Sequence, residues 1–214
     1  MKKVTILLFA LLITVGASAQ FSYGVKAGLN LSSLSETKMT VSNTKTTIPG
    51  SSMIAGFFAA AHVNYSFNEI LGIQPEVMFS MQGGKVKKSG ATMPDDQTLR
   101  YNYIQIPVLI DIKPFQGFSI LGGPQIGFNT YRSVTTKGKT TSGSDFDKSL
   151  KDGGFNFAKI DFSVAVGLQY VFMEHFIASA RYNIGVLSTF ESRGSASVSG
   201  GCNNVLQIGV GYQF

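Results

Sequence analysis

The chain has 214 residues, and only 14% of them are charged, where about 25% is usual for a soluble domain. It carries 24 glycines, 17 phenylalanines and 8 tyrosines, has no tryptophan, and has a formal charge of +6 with slightly positive mean hydropathy. The lone Cys202 excludes an internal disulfide, so no cystine framework holds the fold, and the length suits one domain.

The chain opens on a leader. Lys2 and Lys3 form a positive start, residues 4–15 are apolar, and Ala17-Ser18-Ala19 is the small-x-small pattern that signal peptidase accepts. The apolar stretch falls short of the ~20 residues that a membrane helix needs. Residues 1–19 are therefore expected to be a cleaved signal peptide and Gln20 the mature N-terminus, with 20–214 forming the folded domain. Loss of Lys2 and Lys3 takes the formal +6 to +4. No cysteine follows the cleavage site, so a lipid anchor is not supported.

From Phe21 onward the pattern is a two-residue alternation, the period of a strand. Phe21, Tyr23, Val25, Ala27, Leu29 and Leu31 alternate with Ser22, Gly24, Lys26, Gly28 and Asn30. Segments 53–67, 70–82, 100–113 and 118–131 follow the same rule less cleanly, with Pro75, Pro107 and Pro124 inside them. A strand proline removes a ladder hydrogen bond, and these three lie at a similar height on consecutive strands, which predicts a shared bulge or break. In 160–172 the alternation is strict, as Phe162, Val164, Val166 and Leu168 face away from Asp161, Ser163, Ala165 and Gly167. Segments 175–187 and 206–214 complete the set, the last with Leu206, Ile208, Val210, Tyr212 and Phe214 on one face.

The connections alternate too. Asn68-Glu69, residues 113–117 and Met173-Glu174 are tight links, whereas 33–51, 83–99, 132–156 and 188–202 are long, polar and rich in Ser, Thr, Gly and Lys. Short turns at one end and long loops at the other are the asymmetry of an outer-membrane barrel. A soluble eight-stranded barrel keeps large apolar groups inside and polar groups outside. Here that would crowd the narrow interior with Phe, Tyr, Leu and Ile and leave an outer face of Gly, Ser and Gln with few charges. The opposite orientation puts large side chains in lipid and small ones in the lumen. The expected fold is all-β: an eight-stranded antiparallel up-and-down transmembrane β-barrel, with the even strand count bringing both termini to the short-turn, periplasmic side and the long loops outside.

Several stretches then resemble the PorT-like outer-membrane β-barrel family of Gram-negative bacteria. They are GVKAGLNLSS (24–33), IQPEVMFSMQGG (73–84), YIQIPVLI (103–110), GGPQIGF (122–128), DFSVAVGLQY (161–170), ARYNIGV (180–186) and the terminal IGVGYQF. The resemblance spans the barrel and not the long loops. It implies an outer-membrane location and a barrel fold, and it brings no catalytic residue. Members include secretion-machinery components and many barrels of unknown role, so the resemblance bears on location and fold much more than on activity, and a protein partner in an envelope or secretion assembly is one role it leaves open.

Chemistry is sparse. A rim enzyme would need a general base at the outer rim, but His175 lies beside a short turn and His62 lies on an inward face nearer the turns, where it reads as a hydrogen-bonded lumen residue. One cysteine and two separated histidines make no metal set, and no cofactor is expected. Lys26, Glu76 and Arg181 fall on inward faces of three strands at similar height, with Gln105, Gln125 and Gln207 nearby. A buried Glu76 without a cation would be costly, so the three are expected to pair as a charged belt that closes the lumen; separately hydrated lumen charges are the alternative. Phe214, after Tyr212, resembles the terminal signal read by the barrel-insertion machinery. The four long loops hold the whole +4 of the mature chain, which suits the anionic phosphates of lipopolysaccharide. The expected surroundings are outer-membrane lipid, and nucleic acid is excluded by location. The expected role is structural or partner-binding, with a narrow solute pore as the second reading and an enzyme set aside.

Overall fold

The computed structural model describes residues 20–41, 44–88, 95–152, 155–192 and 197–214. The leader, 1–19, lies outside the described residues. Eight strands form the barrel wall: β1 (Phe21–Leu34), β4 (Ile54–Ser66), β5 (Leu71–Val86), β6 (Gln97–Phe115), β7 (Phe118–Thr136), β10 (Ile160–Phe172), β11 (Phe176–Gly185) and β14 (Asn203–Gln213). Each pairs antiparallel with its neighbour in this sequence, β14 pairs back onto β1, and β7 pairs with β10, so the sheet closes. Closure leaves no edge strand and satisfies the backbone within the wall, the condition for crossing hydrocarbon with strands.

The alternation decides which way the wall faces. Val77, Ile110, Val166, Ile208 and Val210 stand exposed on the outside, while Lys26, Asn30, Gln74, Glu76, Gln105, Gln125, Gln169 and Gln207 are buried inside. A wall that is apolar outside and polar inside is the reverse of a soluble barrel. Small residues let the inner side chains cross the lumen. Phe58, buried inside, lies so close to Gly209 that a Cβ there would stand 2.6 Å from its ring.

The turns are tight at one end. Asn68 Oδ1 accepts from the amides of Ile70 (2.9 Å) and Leu71 (2.7 Å), a local cap that replaces ladder bonds. Phe115 pairs with Phe118 across Gln116-Gly117, with Gly117 at φ 79°. This link is shorter than the sequence suggests, because β6 continues past Pro114. Met173 and Glu174 are left-handed at φ 50° and 69°.

The three prolines interrupt the ladder without bulging it. Pairing lapses between Pro75↔Val108 and Met78↔Gln105, and again between Pro107↔Gln125 and Ile110↔Gly122, and it resumes in the same register. The missing N–H groups open gaps; they insert no extra residue. The register shifts between β6 and β7 lie elsewhere, at Asn102/Tyr103 and Ile112/Phe115.

At the other end the long connections are folded. They contain β2 (Thr37–Val41), β3 (Thr44–Ile48) and β13 (Ser197–Gly200) in one small sheet, and β9 (Phe155–Phe157) paired with β12 (Phe190–Ser192). β8 (Lys139–Ser142) makes a hairpin with β7 and leads into a helix, Gly143–Asp152. Leu34, Val86, Leu99, Tyr101, Tyr103, Phe146 and Phe157 form an apolar core beneath these pieces. The loops thus make a cap with its own core, a feature their polar composition conceals.

Candidate functional site

The lumen carries the most constrained chemistry. Glu76 projects inward from β5, where Lys26 of β1 and Arg181 of β11 meet it. Lys26 Nζ stands 2.7 Å from Glu76 Oε1. Arg181 donates from Nη1 to Oε2 at 2.9 Å and from Nη2 to Oε1 at 2.6 Å, a bidentate fork matched to a carboxylate. Gln74 Nε2 donates to Glu76 Oε1 at 2.8 Å, and Lys26 also reaches Gln169 Oε1 on β10 at 3.1 Å. All three charged groups are buried. One carboxylate holds two cations, so the cluster carries a net positive charge.

Polar layers continue on both sides of this belt. Toward the turns, Asn64 donates to Asp111 Oδ2 at 2.6 Å, and Lys113 bonds Ser66 Oγ at 2.6 Å and lies 3.5 Å from Asp111. Toward the cap, Gln207 donates to Asn30 Oδ1 (3.0 Å), Asn30 to Ser80 Oγ (2.9 Å) and Gln82 to Ser80 Oγ (2.8 Å). Asn203 bonds Gln82, and Tyr101 donates to Asn203 Oδ1 at 3.2 Å, where the polar lumen meets the cap's apolar core.

Lys26, Glu76 and Arg181 are thus brought together, and Gln207 stands in the next layer. Gln105 accepts from Gln82 at 3.3 Å and Gln125 donates to Ser163 at 3.1 Å, so neither touches the charged belt. Gln74 and Gln169, which do touch it, escaped the sequence reading. Both lie on inward faces at the right height, and that was the available signal. His62 is buried in the lumen as expected, but neither ring nitrogen has a hydrogen-bond partner among the described residues. Its ring lies against Gly24, where a Cβ would stand 2.7 Å from Cε1, and glycine offers no side-chain acceptor. His175 sits at a turn with Nδ1 3.0 Å from the Gln213 carbonyl.

Aromatic rings circle the turn end. Phe21 packs on Tyr65 and Tyr65 on Phe67; Phe115 stacks on Phe118; Phe172 packs on Phe176, Phe176 on Tyr212, Tyr212 on Phe214, and Phe214 on Tyr23. Such a girdle marks a membrane–water interface. Phe214 completes it where the last strand meets the first, its amide donating to the Tyr23 carbonyl at 2.8 Å.

Some loop charges pair within the cap: Lys38 with Glu36 (3.6 Å), Lys85 with Asp96 (3.3 Å), Lys137 with Asp95 (3.0 Å) and Arg132 bidentate with Asp147. The Arg132 guanidinium beside Asp147 holds that carboxyl below its ordinary range.

The family model for the outer membrane protein beta-barrel domain matches residues 17–191. The chain belongs to that family. Among solved structures, the outer-membrane barrel resembles OprG of Pseudomonas aeruginosa with TM-score 0.51 at 14% identity, over 90% of this chain and 95% of that one. Ail of Yersinia pestis gives TM-score 0.46 at 14% identity, over 91% and 99% of the two chains. Outer membrane protein W of E. coli gives 0.45 at 14%, over 90% and 97%. No curated protein matches in sequence. The chain is therefore an integral outer-membrane barrel, set in lipid and lipopolysaccharide.

For an outer-membrane barrel, Phe214 has an assembly role to test. Deleting Phe214 removes both its bond to Tyr23 and the ring that joins the girdle's ends. It is expected to lower the fraction of protein in the membrane several-fold, while shortening the 188–202 loop leaves that fraction near wild type. Immunoblots of outer-membrane fractions read both, and equal tolerance of the two deletions would refute the role.

Proposed function

We propose that this protein is a closed barrel of the PorT-like kind, with a structural or partner-binding role in the cell envelope and no enzymatic or solute-conducting activity. The observation that carries the reading is the Glu76 carboxylate, held at once by Lys26 and Arg181 from different walls. An eight-stranded barrel is only just wide enough for side chains to fill, so a belt spanning its walls leaves no continuous water path. The PorT-like kinship rests on the stretches quoted above. The partner role draws support from the folded cap, since a barrel needing only to sit in the membrane has no use for an additional core. We place the cap outside the cell and both termini toward the periplasm, consistent with long loops at one end and tight turns at the other. There the unpaired basic groups of the cap face lipopolysaccharide phosphates. With His62 inside the lumen and His175 at a turn, the outer rim has no histidine to serve as a general base.

Two measurements test this reading. Purified barrel in planar bilayers is expected to show no steady conductance, and protease added to intact cells to cut within residues 137–151 and spare Asn68-Glu69. Stable unitary currents would make the narrow pore the correct reading. Cleavage at the short turns alone would invert the orientation.

A further inference from the structure

The cap holds a partly open cavity of about 320 Å³. Leu34, Val86 and Leu99, continuing the barrel strands beyond the lumen, line its base. Phe146 and Leu150, one helical turn apart on Gly143–Asp152, lie over it, and Phe190 closes a side. All four long connections contribute to its lining, so the cavity is a product of the whole cap.

Its volume lies at the lower end of the roughly 300–1,000 Å³ that small-molecule sites occupy. The lining narrows the chemistry. Among the described residues it contains no charged side chain, although Lys38, Lys85, Lys137, Lys148, Asp145 and Asp147 all belong to the same cap. Hydroxyl and amide groups of Ser35, Gln97, Thr141 and Ser149 are interspersed with the apolar surface, and Ser149 and Pro49 are exposed at its margin. An ionic ligand would leave its charge unpaired against Leu and Phe, at a cost that no group here offsets. An uncharged, mainly apolar ligand would bury its body against that surface and hydrogen-bond a hydroxyl or carbonyl at the margin.

The helix is suited to cover such a ligand. Gly143, at its first residue, has φ 57°, and nothing stands within 4 Å of where its Cβ would be. Arg132 ties the helix to β7 through Asp147 while its guanidinium lies 5.7 Å over the Phe157 ring. The covering element is thus anchored on its polar side, and Phe146 and Leu150 face the cavity.

We propose that the cap is a binding site for a small uncharged apolar molecule, held beneath the helix Gly143–Asp152. This inference is independent of whether the lumen conducts. Benzophenone, an uncharged apolar probe that adds to C–H bonds on illumination, tests it in the full mature barrel held in amphipol. Saturable adducts are expected on the peptides carrying Met39 and Leu150, set against non-saturating labelling of the lipid-facing stretch 104–112. The anionic relative 4-benzoylbenzoate is expected to leave the cap peptides unlabelled. Leu150→Glu places a charge in the cavity and is expected to lower cap labelling about tenfold or more. Leu150→Trp sets a large uncharged ring into the space and is expected to lower it too, which separates occupancy from any misfolding caused by the glutamate. Cap labelling that never saturates, equal labelling by 4-benzoylbenzoate, or undiminished labelling of Leu150→Trp would each overturn the proposal.

Discussion

Replacing Glu76 by alanine is expected to destabilise the barrel by about 3–5 kcal/mol, the usual cost of removing one partner from a buried ion pair. The substitution leaves Lys26 and Arg181 facing each other inside the wall with no carboxylate between them. Gln74 is no remedy, since its amide nitrogen already points at the vacated place. Glu76→Gln keeps a hydrogen-bond acceptor and loses the charge, so a smaller loss is expected. The instructive comparison is the triple change of Lys26, Glu76 and Arg181 to methionine. Replacing a whole buried charge cluster with apolar groups of similar volume is often neutral or stabilising, so the triple variant should stand near wild type while the single one falls. The chain has no tryptophan, so unfolding in urea is best followed by circular dichroism or by the gel shift of the folded barrel. Alanine at position 76 should also admit ions: conductance steps are expected from this variant in bilayers where wild type gives none. A Glu76→Ala barrel as stable as wild type would mean that trapped water solvates each charge separately.

The wall was legible in the sequence because lipid imposes one rule on every strand it touches. β6 shows where that rule stops. From Ile104 to Ile112 the outward residues are apolar and the inward ones include Gln105 and Asp111, but from Leu99 to Tyr103 the inward residues are Leu99, Tyr101 and Tyr103 and the outward ones Arg100 and Asn102. The polarity inverts where the outer face leaves lipid for water and the inner face leaves the polar lumen for the cap core. A search for apolar-outside alternation therefore ends β5 at Gln82 and starts β6 at Arg100, although both strands run several residues farther. The same inversion hid the cap: Phe146, Leu150, Phe157 and Phe190 are spaced singly among Ser, Thr, Lys and Asp, and only tertiary contact gathers them. The charged belt was better signalled. Charged residues are few and the inward phase of each strand is fixed, so Lys26, Glu76 and Arg181 could be assigned to one level. Their hydrogen-bond partners depend on side-chain reach and shear, which a one-dimensional pattern does not carry. The prolines marked a real irregularity, but sequence could not tell a bulge from a ladder gap, because a strand proline is compatible with either.

The outward face makes the second large prediction, at Ile208. This residue lies on β14 about midway between the girdle at Tyr212 and the level of Asn203, where Tyr101 bonds the strand from inside. It is 56% exposed, whereas its neighbour Gln207 is 2% exposed, so its side chain stands wholly on the lipid side between Leu29 of β1 and Ala180 of β11. Arginine on the lipid face at the bilayer midplane costs about 2–4 kcal/mol, falling to roughly 0–1 kcal/mol near the interface. Ile208→Arg is therefore expected to lose about 2–4 kcal/mol in lipid vesicles. Ile70→Arg, in an exposed turn outside the girdle, should lose about 0–1 kcal/mol. The contrast matters more than either value, because both changes replace an exposed isoleucine by arginine and differ chiefly in depth. In a soluble barrel both exposed sites would face water, and surface substitutions there usually stay within about 0.5 kcal/mol. Similar small losses at the two sites would thus refute the orientation of the wall. A depth-dependent loss would place the midplane near Ile208, at the height where the strand's inner face carries Gln207 and its bond to Asn30.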